Sequence, residues 1–339
     1  MIKFCKADIG WREIWEVIKV MRSGWLTTGE QTKKFEQEFA EYVGAKYAVA
    51  VSSCTVALEL SLKYHKIGQG DLVIVPSFTF AATAQAVENV GARVLFGDIE
   101  PYKLCLDDKC PTVAIGTRRA KAVIPVHLGG NEAKTKWRDC IVIEDSAHRI
   151  ERNQCKDSNN LVCFSFYPTK NMTTGEGGMI ATNDKDAYEW LLKARSHGRS
   201  KLVGHGYEVE FTGMKANLPD ILSAIGRVQL RKLDKMNSKR NKIVGWYNEW
   251  LNRGKWYGNH LYPIFVKNPD DFVRYMFENG VQCSRHFSPL HKMQGFKEHN
   301  KFKLPMSEGL GMSEVSLPLY PGLKKKEVKY ICELVKNYV

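Results

Sequence analysis

One lysine stands apart from the surface lysines of this chain. Lys170 sits in FSFYPTKNMTTGEGG, between a short apolar strand and a run of small and polar residues whose glycines permit close backbone approach. A lysine held against apolar walls and near another cation loses its proton readily and becomes an amine nucleophile able to form a Schiff base, whereas a strand-end lysine in water does not. Asp145 closes the run CIVIED, which puts its carboxylate at a strand end with partial burial. It serves either as an N-cap or as the partner of a buried cation, since a buried carboxylate needs a cation or several donors. The turn SSCT, Ser52 to Thr55, offers hydroxyls and free amides where a helix begins. That is a setting for phosphate, although Ser and Thr also cap helices without any ligand. Ser165 adds a hydroxyl five residues before Lys170, and Phe78 and Phe80 in SFTF supply either core packing or a stacking face. Taken together, an amine nucleophile, a partner for a ring nitrogen, an aromatic face and a phosphate cradle are the parts that a pyridoxal phosphate site requires.

The elements that must position these groups alternate between strand and helix. KYAVAVSS, DLVIVPSFTF, ARVLFGDI, KAVIPVHLGG, DCIVIEDSAH and LVCFSF read as strands, several with the continuous apolar runs of strands covered on both faces. CTVALELSLKYH and AATAQAVENVG read as interposed helices, so the chain is α/β with a mostly parallel sheet, and ligand groups should collect at the carboxyl ends of its strands. SSCT, SFTF, EDSAH and SFYPTK all fall at such ends. Two amphipathic helices flank SGWLTTG in residues 10–44, and from about residue 182 the chain turns helical. These features predict a large domain over residues 1–235 and a smaller C-terminal α+β domain over 236–339, with a charged helix through KLDKMNSKRNK bridging them.

Composition narrows the class. The 339 residues have the apolar and charged content of an ordinary globular protein. The N-terminus lacks the apolar run of a signal peptide and no 18-residue apolar stretch occurs, so a cytoplasmic location without membrane attachment is expected. Nine cysteines without a C-x-x-C pair read as reduced thiols, with neither a disulfide framework nor a zinc site, and no metal is expected. The net charge of +13 is spread among acidic residues and accompanies no nucleic-acid motif, so it fits a lysine-rich surface or attraction of a phosphorylated substrate better than nucleic acid. The missing G-x-G-x-x-G after the first strand argues against a nicotinamide enzyme.

The ordered stretches SGWLTTG, FEQEFAEYVGAKYAVAVSS, GDLVIVPSFTFAATA, GARVLFGDIEP, AVIPVHLGG, VIEDSAH, FSFYPTKNMTTGEGGMIATND and NLPDILSAIGRVQL resemble the sugar aminotransferases of the DegT/StrS type, over roughly residues 20–232. SRHFSPLH and SLPLYPGL match more loosely. The resemblance implies the aspartate-aminotransferase-like fold (PLP fold type I), with pyridoxal 5'-phosphate as cofactor and its pyridoxamine form in the half-reaction. It implies that Lys170 is the Schiff-base lysine and proton shuttle, that Asp145 pairs with the ring nitrogen, and that His148 lies beside the ring while Phe80 stacks on it. Cys54, through its backbone amide, Thr55 and Ser165 resemble the phosphate cradle. Relatives are homodimers with shared sites, which makes Asn217, in GMKANLPD, the candidate for a phosphate contact in the partner's site, and Thr28 a candidate at the sugar site. Cys54 departs from the family's usual Gly or Ala, and the segments near 102–120, 130–140 and 150–160 are shorter than usual. The expected activity is transfer of an amino group from L-glutamate to a nucleotide-linked keto sugar, with amination at the sugar's 4-position suggested by His148. A related dehydratase, which replaces the lysine by His, and a non-catalytic dimeric homologue are the rivals.

Overall fold

The computed structural model describes residues 1–107, 119–137, 139–201, 206–252, 254–299 and 302–338. Cys110 and most of the shortened 102–120 stretch lie outside them. Helices α1 (Trp11–Ser23) and α2 (Glu30–Val43) precede a seven-stranded sheet. Its strands are β1 (Tyr47–Val51), β2 (Leu72–Pro76), β3 (Arg93–Gly97), β4 (Ala122–Val123), β5 (Ile141–Asp145), β6 (Leu161–Ser165) and β7 (Gly178–Thr182), in the spatial order β1-β7-β6-β5-β4-β2-β3. All neighbouring pairs are parallel except those of β7, which runs antiparallel to both β1 and β6. Helices α3 (Cys54–Tyr64), α4 (Ala81–Asn89) and α5 (Lys185–Ala194) follow β1, β2 and β7.

Both faces of the sheet are covered, and the strands show it by period-two alternation. Val49, Val51, Leu161, Cys163 and Ile180 pack with α3, α4 and α5, while Ala48, Ala50, Val162, Phe164, Met179 and Ala181 meet Phe35 and Phe39 of α2. KAVIPVHLGG, expected as a full strand, keeps only Ala122–Val123 in the ladder plus one bridge from Val126 to Asp145. Pro125 has no amide proton to continue the pairing, so the strand ends there.

After a short hairpin of β8 (Arg199–Lys201) and β9 (Tyr207–Val209), the long helical run divides at Lys232 into α6 (Asp220–Arg231) and α7 (Leu233–Leu251). Leu233 and Met236 at the start of α7 pack in the large-domain core, whereas Ile243, Val244, Tyr247 and Leu251 join a second core. That second core is closed by β10 (Tyr262–Phe265), α8 (Pro269–Glu278), β11 (Glu314–Leu317), which follows α9 (Pro305–Ser313), and α10 (Lys325–Tyr338). Ile2 also packs there, bridged to Val281, so the N-terminal residues run back over the smaller core.

One distant contact sets the entry to α2. Its N-cap is Gly29, which has no side chain to cap the first amides. The buried carboxylate of Asp220 does so instead, accepting from Gly29 N (2.7 Å), Gln31 N (3.1 Å), Thr32 N (2.9 Å) and Thr32 Oγ1 (2.7 Å). The SGWLTTG loop is thereby tied to the start of α6.

Candidate active site

A cavity of about 440 Å³ opens where β1, β2, β5 and β6 end, and seven of the nine expected site residues line it: Cys54, Thr55, Phe80, Asp145, His148, Ser165 and Lys170. Their convergence follows from topology, since each sits at or just beyond the carboxyl end of a strand and those four strands run in one direction.

Lys170 lies one turn beyond β6, with its amide donating to Tyr167 O at 2.9 Å. Burial pushes its ammonium down to about 8, against the opposing pull of the Asp145 carboxylate. Buried Arg240 reaches the Lys170 carbonyl through Nη2 at 3.4 Å. Asp145 is buried at the floor of the cavity, and burial raises its carboxyl. Opposing that are the Ala147 amide (3.1 Å to Oδ1), the Thr83 hydroxyl (2.8 Å to Oδ2), and the charges of Lys170 and His127. Among the described residues no Lys, Arg or His side chain forms an ion pair with it. His148 is buried, its Nδ1 accepting from Gly129 N at 3.3 Å and its ring 4.3 Å from that of His260. Burial, then the neighbouring Lys170, His260 and His286, hold it well below the ordinary imidazole range, so it is neutral.

Ser53 caps α3, its hydroxyl accepting from Val56 N at 3.2 Å, while Ala57 N bonds Ser53 O. The amides of Cys54 and Thr55 begin the helix and have no carbonyl of their own helix to bond, so they are available to an anion. This turn presses against the sheet because β7 opens with a glycine. A Cβ on Gly178 would stand 2.6 Å from Ser53 C and 2.7 Å from Cys54 N.

Phe80 and Phe78 separate. Phe78 is core, whereas Phe80 leads into α4 with 59% of its surface exposed at the cavity rim, its ring 6.0 Å from that of Phe287. Thr28 and Asn217 are not brought into the cavity. The backbone of Asn217 is bridged to Val51 on the outer side of the edge strand β1, and its Nδ2 donates to Thr28 Oγ1 at 2.6 Å. Thr28 in turn donates to Leu218 O at 2.7 Å, and Lys215 Nζ reaches Asn217 Oδ1. The two form a pair of their own, outside the cavity that Lys170 lines.

Several lining residues were not legible as such. Phe4 and Cys5 arrive with the N-terminal segment, Thr79 and Thr83 with the approach to α4, and His260, His286 and Phe287 with the smaller domain. The signals for them in the sequence are SFTFAATA, which contains Thr79 and Thr83, and the loosely matching SRHFSPLH, which contains His286 and Phe287.

The donor set fits pyridoxal phosphate. A depressed lysine amine, a buried carboxylate with no ion-pair partner among the described residues and two open helix-start amides share one cavity, and each answers a different part of the cofactor.

Comparison with known proteins gives the same direction. The family model for the DegT/DnrJ/EryC1/StrS aminotransferases matches residues 7–336. The spore coat polysaccharide biosynthesis protein SpsC of Bacillus subtilis is 34% identical, over 98% of this chain and 95% of its own length. The fold is similar to Helicobacter pylori PseC, an aminotransferase involved in the biosynthesis of pseudoaminic acid, with a TM-score of 0.91 at 25% identity and 98% of each chain covered. It is also similar to Streptococcus pneumoniae Spr1654 in its PMP form, with a TM-score of 0.90 at 27% identity over 99% of this chain and 98% of that one.

Proposed function

We propose that this chain, which belongs to the DegT/DnrJ/EryC1/StrS aminotransferase family, transfers an amino group from L-glutamate to a nucleotide-linked keto sugar, specifically a 4-keto-6-deoxy sugar, for glycan biosynthesis. Family membership carries pyridoxal-phosphate-dependent aminotransferase activity and the type I fold with it; donor, sugar and position are our reading. The observation that carries it is the placement of Lys170 and Asp145 in one cavity with the open start of α3. Relatives named for spore coat polysaccharide and pseudoaminic acid biosynthesis support a sugar acceptor.

When bound, pyridoxal phosphate supplies an electrophilic carbon for amines and a ring that absorbs the electrons of a substrate carbanion. The protein's part is to hold and to move protons. Asp145, ionised, would keep a proton on the ring nitrogen, and the amides of Cys54 and Thr55 with the Ser165 hydroxyl would hold the phosphate. Lys170 Nζ, with its affinity for a proton reduced to about 8, can both release and regain one near neutral pH. His148, neutral and packed on His260, would offer the cofactor a flat uncharged wall. A lysine at position 170 favours amination over the dehydratase alternative, in which that residue is His.

A homodimer is part of this reading. Trp11, Trp15, Met21 and Trp25 are exposed along α1 and the loop after it, and the Thr28–Asn217 pair lies outside the cavity of its own subunit. A symmetric partner would cover the first and receive the second. The place of action would be the cytoplasm.

The direct test is a panel of UDP-, GDP- and dTDP-linked 4-keto and 3-keto sugars with 15N-glutamate. Label should appear in a 4-amino sugar, disappear with Lys170→Ala, and be absent for 3-keto substrates. Failure of every sugar to accept label would overturn the reading. Mixing the inactive variants Lys170→Ala and Asn217→Ala should restore part of the activity, because one site of the mixed dimer is intact if Asn217 serves the partner. No recovery would place Asn217 in its own subunit's chemistry or outside it.

A further inference from the structure

Asp145 is held by more than its own strand. Oδ2 accepts from Thr83 Oγ1 at 2.8 Å, and Thr83 Oγ1 is itself 3.2 Å from Thr79 Oγ1. Both threonines are buried, Thr79 in the loop after β2 and Thr83 in the first turn of α4. A hydroxyl has a single proton, and an ionised carboxylate can only accept. Thr83 must therefore spend its proton on Asp145, which leaves its lone pairs to accept from Thr79. The pair forms a one-way chain, Thr79 to Thr83 to Asp145. On the other oxygen, Oδ1, the Ala147 amide sits at 3.1 Å and the Cys54 thiol at 4.0 Å.

We propose that Thr83, oriented by Thr79, is a positioning residue that keeps the Asp145 carboxylate ionised and fixed in direction at the cavity floor, with the Cys54 thiol as a weaker second donor. This rests on the reading of Asp145 as the ring-nitrogen partner. Among the described residues, the titratable groups that act on Asp145 are Lys170 from the loop after β6, His127 from the segment after β4, Cys54 from α3 and Cys163 from β6. Burial keeps the thiols of Cys54 and Cys163 protonated, so neither adds a competing negative charge. Burial of Asp145 favours the neutral acid, and a protonated Asp145 could no longer accept from a ring nitrogen. Of the two direct hydrogen bonds that oppose this, the Ala147 amide belongs to the backbone. The Thr83 hydroxyl, at 2.8 Å, is the short one that a side chain provides; the Cys54 thiol stands at 4.0 Å.

The experiment titrates pyridoxal phosphate onto the apoproteins of wild type, Thr83→Val and Thr83→Ser between pH 5 and 9, reading the visible band and the dissociation constant. Valine keeps the shape of threonine and puts a methyl in place of the hydroxyl. Thr83→Val should move the acid limb of cofactor affinity up by about one pH unit, a tenfold change in the ratio of ionised to neutral carboxyl at a given pH. Thr83→Ser should restore the wild-type limb, and Asp145→Asn should remove the part that Thr83→Val moves and leave only the limb set by the Lys170 amine. A Thr83→Val limb that superimposes on wild type overturns the proposal. Should Thr83→Val fail to fold, Thr79→Val is the second variant: a smaller shift in the same direction supports the chain, and no shift overturns it. Wild-type protein that binds no pyridoxal phosphate at any pH would instead sink the functional reading beneath the proposal, so the two failures are distinct.

Discussion

The chemistry of Lys170 can be measured without any cofactor. Its ammonium is depressed from an ordinary value of 10.5 to about 8, chiefly by burial. At pH 7 about one molecule in ten then carries a neutral Lys170 amine, against roughly one in three thousand for an unperturbed lysine, an enhancement of about 300-fold in nucleophilic amine. Competitive acetylation of the apoprotein with limiting isotope-labelled acetic anhydride, from pH 6 to 11, reads this fraction by peptide mass spectrometry. The signal is normalised to an exposed lysine such as Lys185. The Lys170 peptide should reach half its limiting label near pH 8. Asp145 opposes the depression, since its negative charge favours the ammonium, so Asp145→Asn should move the midpoint lower still. A midpoint near 10.5 would mean that Lys170 is solvated and that the cavity does not activate it. A midpoint that Asp145→Asn leaves unchanged would refute the electrostatic coupling between the two groups.

Two further predictions concern the frame around the site. Glu314 is buried beneath the His286 loop, accepting from His286 N at 2.6 Å, and burial raises its carboxyl from 4.5 to about 8. Between those values the folded protein holds a proton that the unfolded chain has lost, so this group's contribution to stability declines as pH rises from about 4.5 to about 8, by at most about 5 kcal/mol. Glu314→Gln should flatten the dependence of Tm on pH across that window, and scanning calorimetry that finds the same slope in both proteins would refute this. Asp220→Ala strips the cap from α2 and leaves the amides of Gly29, Gln31 and Thr32 without their acceptor, at a cost of roughly 2–4 kcal/mol. Urea denaturation should show that loss, and a change below about 0.5 kcal/mol would mean that water replaces the carboxylate freely.

Much of the site was legible because it is local. Lys170, Asp145, Ser165 and the SSCT turn each stand where an apolar run gives way to small or polar residues, and such a boundary is the end of a strand wherever the strand is later placed. Once the strands were recognised as mostly parallel, their ends had to gather on one edge, and the cavity lies there. The same argument could not place Phe4, Cys5, His260 or His286, which reach the cavity through the packing of the smaller core and of the N-terminal residues against it. Nor could it show that β7 inserts antiparallel between β1 and β6, a choice of lateral neighbour that leaves no periodic trace in either partner.

Residue type and local pattern thus determined which groups can do chemistry, together with the strand ends that carry them. Tertiary structure decided their environments. Burial turned an ordinary lysine into one with a proton affinity near neutrality, and the register of α4 against β5 put the Thr83 hydroxyl on Asp145. The bridge of Asn217 to the edge strand β1 and its hydrogen bond to Thr28 go with a position outside the cavity that Lys170 lines. The physical reason is that proton affinity and hydrogen-bond partnership depend on what surrounds a side chain within a few ångströms, and those neighbours come from segments tens to hundreds of residues away.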